Sequence, residues 1–288
     1  MIPSWLAEQL PENRYHLSVD GQSIHVMEQG EGRPVLLMHG NPTWGYLWRK
    51  VMAELVGEPV RLVVPDLVGL GWSSRIPAAA HRLRSHIGWI GGVMDQLELD
   101  DMVVVGQDWG GPVAFGAAAQ RVGRVSGLVV LNTVLGPPKP GFKPTAFHRF
   151  AHAPVIADFV FRGLSFPQRV LWSAQGDRSS IGAEQTRAYR APLPRGSIAP
   201  LALARMVPDT MQHRSIEPLV EIRKFIEDWQ GPAEIVWGDR DPILGRLRRR
   251  TERLLPQARV TATDAGHFLQ EEVPEDIAAA IMRVVAAG

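Results

Sequence analysis

The segment that most constrains the fold spans residues 103–111, where an apolar run passes directly into a glycine-flanked acidic residue. Three valines are followed by the letters GQDWGG and then by an alanine-rich run that suits a helix. This order predicts a strand, a sharp turn and a helix, with Asp108 at the apex of the turn. The spacing Gly-x-Asp-x-Gly is that of a nucleophile elbow, in which small residues permit a tight turn that lifts one side chain above the sheet.

A carboxylate at this apex suits attack on carbon. Asp108 is an anion near neutral pH, so it can displace a leaving group from a saturated carbon directly and form an ester on the protein. The helix that begins beyond Gly110 is expected to point its positive end at this carboxylate and to favour the ionised form by about 0.3–1 kcal/mol. The alternative interpretation is an aspartate that only caps the helix.

The composition excludes several kinds of site and partner. The chain of 288 residues contains no cysteine, so it has no disulfide, no thiolate nucleophile and no metal site built on sulfur. Its net charge of +1 provides no general field that would attract nucleic acid or an anionic membrane. The start does not resemble a signal peptide, and no apolar run reaches about 18 residues. We therefore expect no nucleic-acid or membrane partner, no metal and a cytoplasmic location.

Short apolar strands alternate with helices along the chain, which predicts an α/β fold with a mostly parallel sheet flanked by helices on both faces. Outside the elbow, the predicted strands lie at residues 15–19, 23–27, 34–38, 61–64, 127–131, 233–237 and 259–263. The first two strands alternate around Asp20-Gly21, a strong hairpin signal. The principal predicted helices outside the elbow lie at residues 85–97, 217–229 and 274–286.

A proline-rich stretch at residues 136–144 predicts a domain boundary, because proline continues neither a helix nor an inner strand. From about residue 145 to 212 the pattern is helical, and six of the nine phenylalanines lie between Phe142 and Phe166. We therefore predict a core of residues 1–133 and 213–288, with an inserted helical cap of residues 134–212 over the edge of the sheet.

Three polar residues follow predicted strands in the order Asp108, Asp241, His267. Because ligands of an open α/β sheet bind outside the carboxyl ends of its strands, we expect these side chains to converge in one cleft. Nucleophile, acid and histidine is also the chain order of the α/β-hydrolase triad. Asp239 is a competing candidate for the acid. A structural histidine at position 267 is the plainer alternative.

Five segments carry a family resemblance: residues 39–44 (HGNPTW), 106–111 (GQDWGG), 189–192 (YRAP), 238–241 (GDRD) and 265–271 (AGHFLQE). With these segments the sequence resembles the haloalkane dehalogenases of the α/β-hydrolase fold over nearly its whole length. The resemblance implies hydrolysis of a small apolar haloalkane to a primary alcohol, a halide ion and a proton, without a cofactor. By the same resemblance, Asp108 attacks the halogen-bearing carbon, His267 activates the water that cleaves the ester, and Asp241 orients the histidine.

The resemblance also implies the groups that receive negative charge. The indole N–H of Trp109 and the side-chain amide of Asn41 would bind the departing halide, and the backbone N–H groups of Asn41 and Trp109 would form the oxyanion hole. Asn132 stands where one group of the family carries a glutamate as its acid, so Asp241 takes that role here. The combination of Asn41 with Asp241 is similar to the third dehalogenase subfamily, whose members tend to associate, so a homo-oligomer is expected. Trp172 in the cap is a further candidate for halide contact.

Two other functions are compatible with these residues. An epoxide hydrolase shares the aspartate nucleophile but protonates its substrate with tyrosines from the cap, and Tyr189 is the only tyrosine in this cap. A non-hydrolytic ligand-binding protein can retain the same fold and triad. A measurement of product formation distinguishes the two cases, because a ligand-binding protein would bind its ligand and release little product.

Overall fold

The computed structural model describes residues 2–144, 146–153, 155–164, 166–194 and 196–288, with side chains except at 146–148. Within these residues, eight strands form one sheet in the order β1-β2-β4-β3-β5-β6-β7-β8. The strands are β1 (Arg14–Val19), β2 (Gln22–Gln29), β3 (Arg33–Met38), β4 (Val60–Pro65), β5 (Met102–Asp108), β6 (Val125–Thr133), β7 (Ala233–Gly238) and β8 (Arg259–Thr263). β2 pairs antiparallel with β1 and β4, and the other neighbours pair parallel, which confirms the predicted mostly parallel sheet.

Helices cover both faces of this sheet. In chain order they are α1 (Ser4–Ala7), α2 (Arg49–Glu54), α3 (Leu83–Gln96), α4 (Gly110–Ala119), α5 (Ala146–His152), α6 (Ile156–Asp158), α7 (Ala183–Arg190), α8 (Ala199–Ala204), α9 (Ile216–Asp228), α10 (Arg248–Leu254) and α11 (Pro274–Ala287). No helix in the described part of the chain is both long and apolar enough to cross a membrane.

The central strand β5 is buried on both faces, as its unbroken valine run requires. Val104 packs in a cluster with residues of α3, α4 and α9. Val103 and Val105 pack in a second cluster, on the opposite face, with residues of α2 and α11. This burial fixes β5 in the middle of the sheet and therefore fixes the position of Asp108 at its carboxyl end.

The antiparallel edge begins with the predicted hairpin. Val19 of β1 pairs with Gln22 of β2 across the turn. Asp20 and Gly21 both have positive φ, at 45° and 74°. Two successive residues in this region give the tight turn whose twist matches that of the flanking strands. The hairpin prediction is confirmed.

The segment between β6 and α9 contains helices α5 to α8 and, among its described residues, no strand. A small apolar cluster within it includes Ala157, Phe161 and Leu201. Aromatic rings of Phe150, Phe161 and Phe166 pack against one another in the same cluster. These contacts support the proposed division into a core of residues 1–133 and 213–288 and a cap of residues 134–212.

Candidate active site

The turn after β5 places Asp108 in an uncommon backbone conformation, with φ of +48°. Few non-glycine residues adopt this left-handed region, so tight packing must enforce it. A Cβ added at Gly106 would lie 2.6 Å from the Cα of Gly111, and one at Gly111 would lie 2.1 Å from Oγ1 of Thr133. The hydroxyl of Thr133 also donates a 2.6 Å hydrogen bond to the carbonyl oxygen of Asp108. Small residues on both sides are therefore required for this elbow.

The loop after β3 closes over the Asp108 carboxylate. The backbone N–H of Asn41 donates a 2.8 Å hydrogen bond to Oδ1 of Asp108. A Cβ at Gly40 would lie 2.3 Å from the same oxygen, so only glycine permits this approach.

His267 lies between the two aspartates. Its Nε2 is 3.5 Å from Oδ2 of Asp108, and its Nδ1 is 2.8 Å from Oδ2 of Asp241. The side chains of His267 and Asp241 are 1% and 0% exposed, whereas that of Asp108 is 17% exposed. The structure thus brings the three predicted residues together, with Asp108 the most accessible of them.

The Asp241 carboxylate accepts hydrogen bonds at both oxygens. Oδ1 accepts from the backbone N–H groups of Ile243 and Leu244, at 2.7 and 3.1 Å. Oδ2 accepts from the side-chain amide of Asn132 at 2.8 Å, in addition to its contact with His267. Burial alone raises the pKa of Asp241, but these donors and the adjacent histidine outweigh it and hold the pKa below its usual value. Asp241 is therefore an anion whose position is fixed.

The competing candidate for the acid, Asp239, is engaged elsewhere. Its Oδ1 accepts a 2.7 Å hydrogen bond from the guanidinium of Arg248. Its side chain is 40% exposed, and its pair with Arg248 lies at the surface. The geometry therefore favours Asp241 over Asp239 as the partner of His267.

The charge state of His267 depends on its two neighbours. Burial lowers the pKa of His267, but the charges and hydrogen bonds of Asp241 and Asp108 outweigh burial and raise the pKa to about 10. With both carboxylates ionised, the imidazole is therefore a cation at neutral pH. Loss of the negative charge on Asp108 would remove part of this effect and lower the pKa.

The two residues predicted to bind a halide differ in their contacts. The Nδ2 group of Asn41 donates to the backbone carbonyl of Pro200 at 3.0 Å, which leaves its second N–H available. The Oδ1 atom of Asn41 is buried and has no hydrogen-bond partner among the described residues. Trp109 is 6% exposed, and none of the hydrogen bonds found between described residues uses its indole N–H. The structure thus leaves an N–H on each side chain for a ligand.

The predicted oxyanion hole is only half formed in the described structure. Asn41 contributes its backbone N–H to Asp108, as expected. The backbone N–H of Trp109 makes no hydrogen bond with Asp108 within the described residues. Catalytic hydrogen bonds are often long or poorly aligned before the substrate binds, so the role of Trp109 as the second donor stays a prediction.

Two contacts of the histidine loop were not predicted from the sequence. The Nε2 group of Gln107, which immediately precedes Asp108, donates to the backbone carbonyl of His267 at 2.9 Å. The backbone N–H of His267 donates to the carbonyl of Ala174 in the segment between β6 and α9, at 2.8 Å. The only sequence signal for the first contact is a polar residue at the end of an otherwise apolar strand.

Tyr189 does not offer a free hydroxyl. Its OH donates a 2.6 Å hydrogen bond to Oε1 of Glu271, which also forms an ion pair with Arg49 at 2.6 Å. Burial and the charge of Glu271 raise the pKa of Tyr189 well above its usual value, so its hydroxyl stays protonated. The ring is fully buried and packs against Tyr46. The hydroxyl and the ring of Tyr189 therefore both make structural contacts.

Trp172, the further candidate for halide contact, lies at the surface. Its side chain is 39% exposed, and the guanidinium of Arg178 lies 5.7 Å from its ring centroid. This position gives no support to a role in halide binding. No group of three or more potential metal-ligating His, Cys, Asp or Glu residues occurs in the described part of the chain.

Comparison with known proteins places this geometry in a family. The sequence profile of the α/β-hydrolase fold family matches residues 33–274. Haloalkane dehalogenase 2 of Mycobacterium tuberculosis is 32% identical over 281 residues, or 94% of each chain. Haloalkane dehalogenase DbeA from Bradyrhizobium elkani USDA94 superposes with a TM-score of 0.83 at 25% identity, over 96% of this chain and 99% of the other. The epoxide hydrolase CorEH superposes with a TM-score of 0.79 at 23% identity, over 95% and 98% of the two chains, a likeness that extends to the fold alone.

The predicted fold is thus confirmed by the sheet topology and by the family profile. The similarity to the mycobacterial enzyme extends over 94% of each chain, and it therefore identifies a narrower family within this fold. The chain belongs to the α/β-hydrolase fold family and, within it, to the haloalkane dehalogenases, hydrolases that act on carbon–halide bonds.

Proposed function

We propose that the chain hydrolyses haloalkanes through a covalent alkyl ester on Asp108. The observation that carries this proposal is the position of His267, whose ring nitrogens face Oδ2 of Asp108 at 3.5 Å and Oδ2 of Asp241 at 2.8 Å. An imidazole held in this way can activate a water directed at the carboxyl carbon of Asp108. A metal or an organic cofactor has no role in the proposed reaction.

In the first step, Asp108 attacks the carbon that carries the halogen. Oδ1 is held by the backbone N–H of Asn41, so Oδ2 is the oxygen that forms the new carbon–oxygen bond. The carbon–halogen bond breaks as this bond forms, and its electron pair leaves with the halide ion. Because Asp108 is already ionised, no base is required for this step.

The departing halide is proposed to bind between Trp109 and Asn41. An unsolvated anion in an apolar pocket is costly, so donors must receive it. The indole N–H of Trp109 and the second N–H on Nδ2 of Asn41 are suited to this, and a hydrogen bond to a charged group contributes about 1.5–3 kcal/mol. The contact of Asn41 with Pro200 supports this role, because it fixes the amide plane.

In the second step, His267 acts as the base. Ester formation removes the negative charge of Asp108, so the pKa of His267 falls and its Nε2 releases a proton to the solvent. The neutral Nε2 then accepts a proton from the attacking water. The water oxygen attacks Cγ of Asp108, and the negative charge develops on Oδ1, next to the N–H of Asn41. Asp241 stabilises the imidazolium that results. As the intermediate collapses, the imidazolium gives its proton to the departing alkoxide, which leaves as a primary alcohol. The remaining hydroxyl proton passes to Nε2 of His267, and this restores the carboxylate of Asp108.

The alternative functions receive less support from the described geometry. Epoxide hydrolysis needs a free cap hydroxyl near the nucleophile, whereas the Tyr189 hydroxyl is bonded to Glu271. A protein that only binds its ligand would not need an accessible, ionised Asp108 beside a buried His267–Asp241 pair. Association of copies of the chain and a cytoplasmic location stay predictions.

The decisive experiment is a trapping experiment with His267→Phe and 1-bromohexane. The variant is expected to release one equivalent of bromide and then stop, with the mass of a hexyl group added to the peptide that contains Asp108. The matched Asp108→Ala variant is expected to release no bromide. Undiminished bromide release by Asp108→Ala would show that the nucleophile is assigned wrongly, and binding without bromide release by the wild type would favour a ligand-binding protein.

A further inference from the structure

A small cavity opens in the segment between β6 and α9, next to the C-terminal end of α7 and the N-terminal end of α8. We call it the cap cavity, and its lining residues include Phe161, Arg162, Gln168, Arg190, Ser197 and Pro200. Its volume is about 50 Å³. One water molecule needs about 10–15 Å³ on this measure, so a group of a few non-hydrogen atoms fits.

The charged side chains of the cap cavity are both arginines. Arg190 makes no hydrogen bond or ion pair through its guanidinium with any other described residue. Arg162 donates through Nε to the carbonyl of Gly196 at 3.1 Å and lies 3.6 Å from Asp158, a carboxylate that also pairs with Arg205 at 3.2 Å. No aspartate or glutamate is among the described lining residues. The cap cavity therefore carries an excess of positive charge.

Neutral donors add to this positive character. Gln168 is 3% exposed, and its Nε2 group has no hydrogen-bond partner among the described residues. A buried N–H donor without an acceptor costs free energy, so this position favours a ligand with acceptor oxygens. The hydroxyl of Ser197 is a further donor in the lining. Two guanidinium groups, an amide and a hydroxyl match a carboxylate, which guanidinium binds in a bidentate manner.

The cap cavity is close to the proposed reaction centre. Its wall includes Pro200, whose carbonyl accepts the 3.0 Å hydrogen bond from the side chain of Asn41. The backbone N–H of Asn41 in turn binds Oδ1 of Asp108 at 2.8 Å. Because the two hydrogen bonds start from the same residue, the Pro200 carbonyl lies on the order of 10 Å or less from the Asp108 carboxylate. A short alkyl chain can span the distance from Asp108 to this wall of the cap cavity.

We propose that the cap cavity binds a carboxylate at the far end of the substrate chain, so that ω-haloalkanoates are a substrate class of this enzyme. The proposal rests on the proposed function of Asp108. The halogen-bearing carbon lies at Asp108, the methylene groups pack against apolar lining such as Phe161, and the carboxylate binds Arg190 and Gln168. The reaction converts an ω-bromoalkanoate and water into the ω-hydroxyalkanoate, bromide and a proton.

The test compares 6-bromohexanoate with its methyl ester, which keeps the chain and the bromine but removes the negative charge. In the wild type, kcat/KM is expected to be about ten- to a hundred-fold higher for the carboxylate, mainly through a lower KM. Arg190→Gln is expected to abolish most of this ratio, and Gln168→Leu to reduce it. Arg187→Gln is the matched control, because Arg187 lies on the same helix but is exposed and stacks on Trp5.

The outcomes separate this proposal from the proposed function. A wild-type ratio near one, or a ratio that Arg190→Gln and Gln168→Leu leave unchanged, would overturn the carboxylate site. An equal fall of the ratio in Arg187→Gln would do the same, since it would indicate a general effect of charge. Absence of bromide release from both substrates in the folded wild type would instead overturn the role of Asp108. Thermal unfolding of each variant checks that the fold is retained.

Discussion

The side-chain amide of Asn132 donates a 2.8 Å hydrogen bond to Oδ2 of Asp241, the same oxygen that contacts Nδ1 of His267. Asn132 is itself fixed, because its amide also donates to the carbonyl of Gly238 at 2.9 Å and accepts from the N–H of Gly238 at 2.7 Å. The ends of β6 and β7 are thereby joined beneath the triad. These hydrogen bonds hold the Asp241 carboxylate in place, and this contact of Asn132 was not predicted from the sequence.

The first prediction concerns the acid. Asp241→Asn keeps the size of the side chain but removes the charge that stabilises the imidazolium, so ester hydrolysis is expected to slow by about a hundred- to ten-thousand-fold. Bromide release in the first turnover is expected to persist. Rapid-quench measurement would then show a burst of about one equivalent of bromide, followed by very slow further release. Asp239→Asn is the matched control and is expected to stay within about two-fold of the wild type, because Asp239 pairs with Arg248 at the surface.

The second prediction concerns the halide. Trp109→Phe keeps the aromatic ring and removes only the indole N–H, so the dissociation constant for bromide is expected to rise about ten- to a hundred-fold. Product inhibition by added bromide measures this constant without relying on tryptophan fluorescence. Trp172→Phe is the control and is expected to leave the constant unchanged, since Trp172 lies exposed beside Arg178. An equal effect of the two substitutions would contradict the assignment of Trp109.

Features fixed by adjacent residues could be predicted from the sequence. The hairpin at Asp20-Gly21 and the elbow at Asp108 each need left-handed backbone, and the glycines and short polar residues that allow it are visible in the chain. The convergence of Asp108 with His267 followed from parallel topology, which brings the carboxyl ends of strands to one edge. Local chemistry and strand direction were sufficient for these conclusions.

Contacts between side chains far apart in the chain could not be predicted. Gln107 and His267 are 160 positions apart, and Tyr189 and Glu271 are 82 apart. Which polar side chain satisfies another in the interior depends on packing that no local pattern records. The exposure of Trp172 is a case of the same kind, because tryptophan suits both a core and a surface.

The third prediction is a pH dependence that differs between the two chemical steps. The pKa of His267 is raised to about 10 while Asp108 is ionised, and esterification lowers it by removing that charge. Hydrolysis of the ester needs the neutral imidazole, so its rate is expected to rise with pH to a plateau, with a midpoint below 10. Bromide release in the first turnover needs only ionised Asp108 and is expected to be flat between about pH 6 and pH 9. Single-turnover measurements of both products would reveal the two profiles.

The fourth prediction separates structural from catalytic roles of the cap tyrosine. Tyr189→Phe removes a donor to the buried Glu271 and is expected to lower the free energy of unfolding by about 1.5–3 kcal/mol. Bromide turnover of the folded variant is expected to stay within about two-fold of the wild type. Tyr15→Phe is the comparison variant, because Tyr15 also bonds a carboxylate, that of Glu28, but in a partly exposed position where the loss is expected to be smaller. A large fall in activity without loss of stability would instead favour a catalytic hydroxyl at position 189.

The fifth prediction concerns a buried histidine pair outside the active site. Nδ1 of His81 lies 3.1 Å from Nε2 of His86, and the other ring nitrogen of each residue has no partner among the described residues. Burial and, to a lesser extent, the charge of Arg214 lower the pKa of His81 to about 4. Burial and the nearby His81 and His39 lower the pKa of His86 to about 3. In the unfolded chain both would titrate near 6.5, so below that pH the unfolded state binds more protons than the folded state.

The free energy of unfolding is therefore expected to fall as the pH drops from about 6.5 towards 4, by up to about 1.4 kcal/mol per pH unit for each histidine. Urea unfolding at about pH 7 and pH 5 measures this loss. In the double variant His81→Leu with His86→Leu the loss is expected to be less than half of that in the wild type, whatever its stability at pH 7, because the two titrations are absent. His152→Gln, at an exposed position, is expected to retain the full loss. Equal losses in the wild type and the double variant would mean that other groups, not this pair, cause acid destabilisation.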